Sequence, residues 1–180
     1  MAITYPLSTP TSIGIESIDI RAVNAVATSQ SPFTYKQQIV SHGGQMWQAS
    51  VNIPTVHRDL AAPWKAMLVA LKGQTGTFLL GDPDYATPQG TVSACTLSGT
   101  AGDETATVVM TGSLLAGDYI QLGNGSAARL HQVLQDLTGS GSLEIWPALR
   151  GDYTAATVVY SAAKGVFRLS GNTSQWSIDN

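Results

Sequence analysis

The side chains that most often perform chemistry are scattered along this chain. The three histidines, His42, His57 and His131, lie far apart, and neither His-x-x-x-His nor Cys-x-x-Cys spacing occurs. His57 stands beside Arg58 and Asp59, a group that we interpret as the polar approach to a helix. The sequence therefore predicts no metal site and no cofactor.

The sequence also lacks a clear motif for catalysis by a nucleophile or by a pair of carboxylates. No serine lies in a Gly-x-Ser-x-Gly sequence, and the single cysteine, Cys95, is interpreted as a small buried apolar residue. A glycosidase needs two carboxylates that face each other, which strand spacing alone does not establish. The acidic residues of the second half that were considered for this role are Glu104, Asp118, Asp136 and Glu144. We predict that the protein is not an enzyme.

Composition makes several classes of partner improbable. Of 180 residues, 43% are hydrophobic and only 12% are charged, with nine Lys and Arg against twelve Asp and Glu. Such a chain has no basic cluster for binding nucleic acid specifically. No apolar run approaches the roughly 20 residues of a transmembrane helix, and the start does not resemble a secretory signal. We expect no membrane insertion and, from the lone cysteine, assembly in a reducing cytosol.

Alternating apolar and polar residues predict three strands in the first quarter of the chain, at residues 12–23, 34–42 and 45–53. The alternation slips between Ile15 and Ile18, which indicates a β-bulge. Gly43-Gly44 predicts a hairpin turn between the second and third strands, because glycine adopts positive φ without strain.

A helix is predicted over residues 59–72. Asp59 would cap it, Pro63 would lie in its first turn, and Lys72 and Gly73 would end it. An apolar stripe at helical spacing is formed by Trp64, Met67, Leu68 and Leu71.

Residues 88–162 are rich in Gly, Ser, Thr and Ala and predict a small antiparallel barrel or sandwich. Its strands are predicted at 91–98, 105–111, 118–122, 129–136, 143–146 and 156–160. Strands at 77–80, 166–169 and 173–179 flank this stretch. The predicted fold is mainly β with one helix (α+β). A β-barrel or sandwich domain with the helix, residues 1–87 plus 163–180, is interrupted by an inserted β-domain, residues 88–162.

The aromatic residues have two interpretations. The predicted structural core of the first domain consists of Trp47, Trp64, Met67, Leu68, Leu71, Phe78 and Trp176. In the insert, Tyr119, Trp146 and Tyr153 either pack the small barrel or line a platform for a saccharide. The second interpretation makes the chain a carbohydrate-binding β-module that contacts a host surface.

A tryptophan-bearing strand, 46–54, leads to the helix with Trp64 and Leu68 and then to the series Gly73-x-x-Gly76-x-Phe78. This order resembles the N-terminal domain of the distal tail proteins of long-tailed bacteriophages and the related minor tail proteins of lambda-like phages. The resemblance covers about residues 1–87 and the closing 166–179 segment. The insert resembles the variable second β-domain, of OB or galectin-like type, that some members carry.

The resemblance implies a virion structural protein of the tail tip that is assembled in the host cytoplasm. Members form a homo-hexameric ring that joins the tail tube protein to the tail hub and tip proteins and encloses the passage for DNA. The tape measure protein and tail fibres are further expected partners. A lysine-poor, weakly acidic chain agrees with this expectation, because it would not retain passing DNA.

Overall fold

The computed structural model describes residues 3–12 and 14–176. Within them the chain is mainly β with one α-helix, as predicted. The strands are β1 (Leu7–Ser8), β2 (Ser17–Gln30), β3 (Gln37–Asn52), β4 (Phe78–Leu80), β5 (Ala94–Gly99), β6 (Thr105–Thr111), β7 (Ser113–Leu114), β8 (Tyr119–Leu122), β9 (Arg129–Val133), β10 (Leu137–Thr138), β11 (Gly141–Trp146), β12 (Tyr153–Val159) and β13 (Gly165–Phe167). The helix α1 spans Arg58–Ala70, and short 3-10 helices lie at Gly73–Thr75 and Gly125–Ala127.

Six strands close into an antiparallel barrel in the order β11-β6-β5-β12-β8-β9. These are the six strands predicted within residues 88–162, with ends shifted by at most three residues. Alternation drives the closure: in β6, Ala106, Val108 and Met110 are buried between exposed neighbours. The interior is filled chiefly by Leu97, Val108, Ile120, Leu122, Val133, Leu143, Ile145 and Val158. The predicted small barrel is confirmed.

The strand after the barrel returns to the strand before it. A three-stranded sheet has the order β1-β4-β13, in which β13 is antiparallel and β1 parallel to β4. The predicted strands at 77–80 and 166–169 are thus present and paired. The division into a ring domain, 1–87 plus 163–180, and an insert, 88–162, stays a prediction.

Over residues 3–12, 14–87 and 163–176, the flanking segments do not form the predicted second barrel or sandwich. Their strands make the three-stranded sheet and a separate two-stranded sheet, β2-β3. The predicted closing strand at 173–179 is not formed over its described residues, 173–176, and its last three residues lie outside the described part. The predicted slip between Ile15 and Ile18 spans the start of β2 at Ser17, but β2 pairs regularly with β3 from Ser17 to Asn24 and shifts register only between Asn24 and Val26.

The predicted hairpin turn at Gly43-Gly44 is wrong. β3 continues through both glycines and pairs with β2 on either side of them. The chain reverses instead at residues 31–36, between β2 and β3. The pairing shifts where His42, Gly43 and Gly44 together face the single residue Ala25. Gly43 has φ +68°, and a Cβ on Gly44 would lie 2.9 Å from the Ala25 Cβ. The glycines are therefore needed for a bulge.

The helix is displaced from its predicted limits at both ends. His57, not Asp59, is the N-cap: its carbonyl accepts hydrogen bonds from the N–H groups of Leu60 and Ala61, both at 3.1 Å. Asp59 lies in the first turn, where its negative charge interacts favourably with the helix dipole. Pro63 lies inside the helix, two positions further from the N-cap than predicted.

The C-terminal end of α1 is closed by other parts of the chain. The Tyr5 hydroxyl donates a hydrogen bond of 2.6 Å to the Ala70 carbonyl, and the Gly76 N–H donates one of 2.8 Å to the Leu71 carbonyl. The chain leaves the helix through left-handed backbone at Lys72, φ +51°, and Gly73, φ +65°. Lys72 thus lies beyond the last turn in which it was predicted.

The residues predicted as the core of the first domain differ in burial. Trp64, Met67 and Leu71 are buried. Half-buried positions are occupied by Trp47, Leu68 and Phe78. Trp176 is 43% exposed, and its ring lies 5.8 Å from Lys65 Nζ rather than in the core.

We expect Leu71→Ala to lower the free energy of unfolding by about 2–5 kcal/mol, because its side chain is completely buried. Val69→Ala is the matched control: Val69 is 61% exposed in the last turn of α1, two residues before the C-cap residue Leu71, so the change should stay within about 0.5 kcal/mol. Urea unfolding of both variants measures the difference. Equal effects would show that the buried stripe of α1 is misassigned.

Candidate functional site

Asp118 is the one buried carboxylate among the acidic residues considered for catalysis. Its two oxygens accept hydrogen bonds from the N–H groups of Gln89 at 2.6 Å, Gly90 at 3.2 Å and Leu115 at 2.9 Å. A carboxylate with three backbone donors is occupied in holding loops together. Asp118 therefore fastens the segment before the barrel to the loop that precedes β8.

The other acidic residues considered, Glu104, Asp136 and Glu144, are exposed. Glu104 and Glu144 accept hydrogen bonds from glutamine side chains, and Asp136 accepts one from the Ala116 N–H. Across residues 3–12 and 14–176, no three His, Cys, Asp or Glu side chains are grouped to hold a metal ion.

His131 lies on β9, a strand of the barrel, and its side chain is almost completely buried. Its Nδ1 is 2.7 Å from the Pro147 carbonyl, while its Nε2 is buried without a hydrogen-bond partner. Burial lowers the pKa of this imidazole, and the nearby charges of Arg150 and Arg129 lower it further, against the hydrogen bond to Pro147, which raises it. His131 therefore donates from Nδ1 as the neutral tautomer.

The lowered pKa makes stability depend on pH. The unfolded chain takes up a proton on His131 near the ordinary value of about 6.5, whereas the folded chain takes it up only at lower pH. The free energy of unfolding should be greatest above the unfolded pKa and decrease as the pH falls through the folded pKa. His131→Asn keeps an amide donor for Pro147 and should remove part of this decrease.

Thermal unfolding from neutral to mildly acidic pH measures the effect. His42→Asn is the control, because it removes an exposed imidazole from β3 and leaves His131 unchanged. A decrease unchanged in His131→Asn would contradict the assignment of His131 as the buried neutral group.

Cys95 is buried in the barrel, and burial raises the pKa of its thiol to about 11. The thiol is therefore protonated at neutral pH, and its placement in the apolar core agrees with the interpretation made from the sequence.

The three aromatic residues proposed for a saccharide platform are not brought together. Tyr119 and Trp146 lie on β8 and β11, the two neighbours of β9, and both are paired with Gln132. Tyr153 begins β12, which lies opposite β11 in the strand order of the barrel. It borders a separate shallow concavity, so the trio does not form one platform.

Tyr119 and Trp146 instead contact Trp47, which projects from β3. The Trp47 and Trp146 rings meet edge to face, with centroids 4.4 Å apart and planes at 84°, and the Trp47–Tyr119 centroid distance is 5.8 Å. Trp47 Nε1 also donates a hydrogen bond of 2.9 Å to the Leu130 carbonyl on β9. One indole thus combines apolar contact with a directional bond.

Polar contacts surround these rings. Trp146 Nε1 donates to Asn24 Oδ1 at 2.9 Å. Gln45 Oε1 accepts a hydrogen bond of 2.6 Å from the Ala148 N–H, and its Nε2 donates to Glu104 Oε1 at 2.6 Å. Asn24, Gln45, Trp47, Tyr119 and Trp146 together are called the joint. Neither polar residue carried a signal in the sequence, since each becomes meaningful only beside the barrel.

Beyond the joint the β2-β3 hairpin continues through residues 25–44, here called the arm. All of these residues except the half-buried Ser31 are exposed. The large apolar side chains on the arm are Val26, Phe33, Tyr35, Ile39 and Val40, of which Phe33 is 91% exposed. The sequence alone does not reveal this surface, because alternating apolar residues ordinarily indicate a strand with one buried face.

The tip of the arm has a defined shape. The N–H of Ser31 bonds to the Lys36 carbonyl at 3.0 Å, and the N–H of Tyr35 bonds to the Ser31 carbonyl at 2.9 Å. Ser31 Oγ accepts from the N–H groups of Phe33 and Thr34, both at 3.4 Å. The turn therefore presents the Phe33 ring from an ordered backbone.

Comparison with models of known protein families and with curated proteins finds no match in either. Among the described residues, no helix has the length and apolar character needed to cross a membrane.

We expect Trp47→Ala to loosen the base of the hairpin, because the contact and the bond to the Leu130 carbonyl are both lost. Trp47→Phe, which retains a ring but loses the donor, should destabilise this contact by about 0.5–1.5 kcal/mol. Hydrogen exchange of the β2 and β3 amides measures both variants. Met46→Ala is the control, since Met46 is exposed on the opposite face of β3; equal loss of protection there would contradict the role of Trp47.

Proposed function

We propose that this chain is a structural subunit of a bacteriophage tail, a component of the ring at the distal end of the tail tube. The observation that carries the proposal is the arm. A two-stranded ribbon is at best marginally stable in water, and this one also exposes a row of large apolar side chains. Exposed apolar patches of this kind mark surfaces that bind other proteins.

The order of elements supports the same class. The strand that bears Trp47, the helix α1, the Gly73-x-x-Gly76-x-Phe78 series and β4 follow one another without interruption. The chain then pairs β13 with β4 after the barrel. This agrees with the resemblance to distal tail proteins, in which a closing segment completes the first domain around a variable insert.

A subunit in a closed ring contacts its two neighbours through two different surfaces. The arm supplies one surface that projects from the rest of the chain, and the outer wall of the barrel offers an area for the other. In the proposed hexamer the ring would join the tail tube protein to the hub and tip proteins around the DNA passage. The tape measure protein and tail fibres are further partners in this proposal.

We expect the purified protein to form hexameric rings with a central pore, seen by negative-stain imaging and by light scattering after size exclusion. Ile39→Ser combined with Phe33→Ser should shift the distribution to monomers without lowering the unfolding temperature of the barrel. We expect this shift because both side chains are exposed in the single chain and would be covered by a neighbouring subunit in the ring.

Val69→Ser is the control for solvent-exposed apolar area, because Val69 lies on α1, away from both proposed contact surfaces. It is 61% exposed, against 63% for Ile39 on the arm. A wild-type chain that stays monomeric at every concentration would overturn the proposed function. Rings that form equally well in the arm variant would show that another surface carries assembly.

A further inference from the structure

Charge is divided unequally between the arm and the barrel. The arm, residues 25–44, contains one lysine, Lys36, and no Arg, Asp or Glu. Residues 82–152, which include the barrel strands, contain eight acidic residues against two arginines and no lysine. The arm therefore carries a single positive charge, whereas the barrel region is strongly acidic.

Four of the acidic residues gather at one end of the barrel. Asp103 and Glu104 directly precede β6, whose first residue, Thr105, pairs with Glu144. Asp152 joins them because its Oδ1 accepts a hydrogen bond of 2.9 Å from the N–H of Ala101, in the same turn as Asp103. All four side chains are exposed. These residues, Asp103, Glu104, Glu144 and Asp152, are called the acidic end.

The acidic end borders a concavity of about 450 Å³ on the outside of the barrel. Tyr153 is half-buried at its margin, and hydroxyl groups line it, including those of Thr105, Thr107 and Ser142. Thr107 pairs with Ser98 on one side and Ser142 on the other, so a row of hydroxyls crosses three strands. This surface offers hydrogen-bonding groups and negative charge beside Tyr153, whose side chain also packs against the barrel core.

The arm of the same chain does not reach this surface. Gln45 contacts Glu104 at the joint, and Lys36 lies nine residues further along the hairpin. An extended strand of that length spans roughly 25–30 Å. Because the arm residues are exposed, the arm extends away from its own barrel and presents Phe33, Tyr35 and Lys36 to another molecule.

We infer that the arm of one copy docks on the acidic end of the barrel of the next copy. This inference rests on the proposed function and names the two surfaces of its ring contact. Lys36 would lie against the carboxylates of the acidic end, while Phe33 and Tyr35 would contact the Tyr153 side of the concavity. The opposite charges of Lys36 and the acidic end orient this contact. A contact between two barrels is disfavoured, because it would bring two acidic ends together and like charges repel.

A zero-length carbodiimide cross-link between an amine and a carboxylate tests the contact directly. An equimolar mixture of ¹⁵N-labelled and unlabelled protein should yield a mixed-isotope peptide joining Lys36 to the acidic end. Lys36→Gln should abolish this cross-link, whereas Lys72→Gln, at an exposed lysine after α1, should leave it intact. A Lys36 cross-link that is confined to one chain, or absent from the acidic end, would overturn the inference.

Two complementary variants test the head-to-tail direction. Asp103→Asn with Asp152→Asn removes two charges but keeps oxygens that accept the Thr100 and Ala101 N–H groups. This variant and Lys36→Glu should each associate about tenfold or more weakly than the wild type, measured by light scattering at low salt. Each retains one intact surface, so mixing them should restore pairs without closing rings.

The outcomes separate the inference from the proposed function. If rings form in the wild type and in Asp103→Asn/Asp152→Asn alike, the ring stands and the docking surface on the barrel is wrong. If the two variants form no pairs on mixing, the head-to-tail contact is wrong. A wild type that neither associates nor cross-links between chains would contradict both.

Discussion

The contact of the Trp47 indole with the barrel wall determines where the hairpin is held. A pair of strands has no interior of its own, so its direction depends on what its base is fixed to. The indole contributes ring contacts with Trp146 and Tyr119 and a bond to the Leu130 carbonyl. Apolar contact fixes its distance from the wall, and the hydrogen bond fixes its position along β9.

The outer side of β9 is also where the chain returns after the barrel. The Val166 N–H donates to the Ala128 carbonyl at 3.3 Å, and a Cβ on Gly165 would lie 3.0 Å from the Leu130 Cβ. Gly165 therefore allows β13 to approach the same strand whose Leu130 carbonyl accepts the Trp47 bond. Gln121 on β8 reinforces this closure by accepting the Lys164 N–H at 2.9 Å. The hairpin and the three-stranded sheet thus share one wall of the barrel.

The barrel was predictable because its information is local. Alternation in β6 is nearly perfect, so the limits of that strand, Thr105–Thr111, followed directly from the sequence. The helix was found for the same reason, since its apolar stripe has helical spacing. Its first residue was misplaced because Asp59 is a strong N-cap type, whereas the observed cap uses only the backbone carbonyl of His57.

The hairpin could not be placed from local signals. Gly43-Gly44 suits both a tight turn and a bulge, and the choice depends on Ala25, which faces the glycines from the other strand. The actual reversal contains no glycine: its left-handed residue is Tyr35, with φ 55°, and its turn signal is the pair Ser31-Pro32, a less conspicuous mark than two adjacent glycines. The joint likewise depends on residues that are distant in sequence, such as Asn24 and Trp146.

An exposed apolar ribbon is a hazard for a free subunit, because an unpaired strand edge with few charges can pair with any similar edge. The segregation of charge limits the wrong pairings in the proposed ring. Two arms would bring Lys36 against Lys36, and two barrels would bring one acidic end against another, so both like pairings are repulsive. Only an arm placed on a barrel covers the apolar side chains and pairs opposite charges at once. In the proposed ring that contact uses different surfaces on the two copies, so it would repeat from subunit to subunit and form a ring where the rotation between neighbours closes.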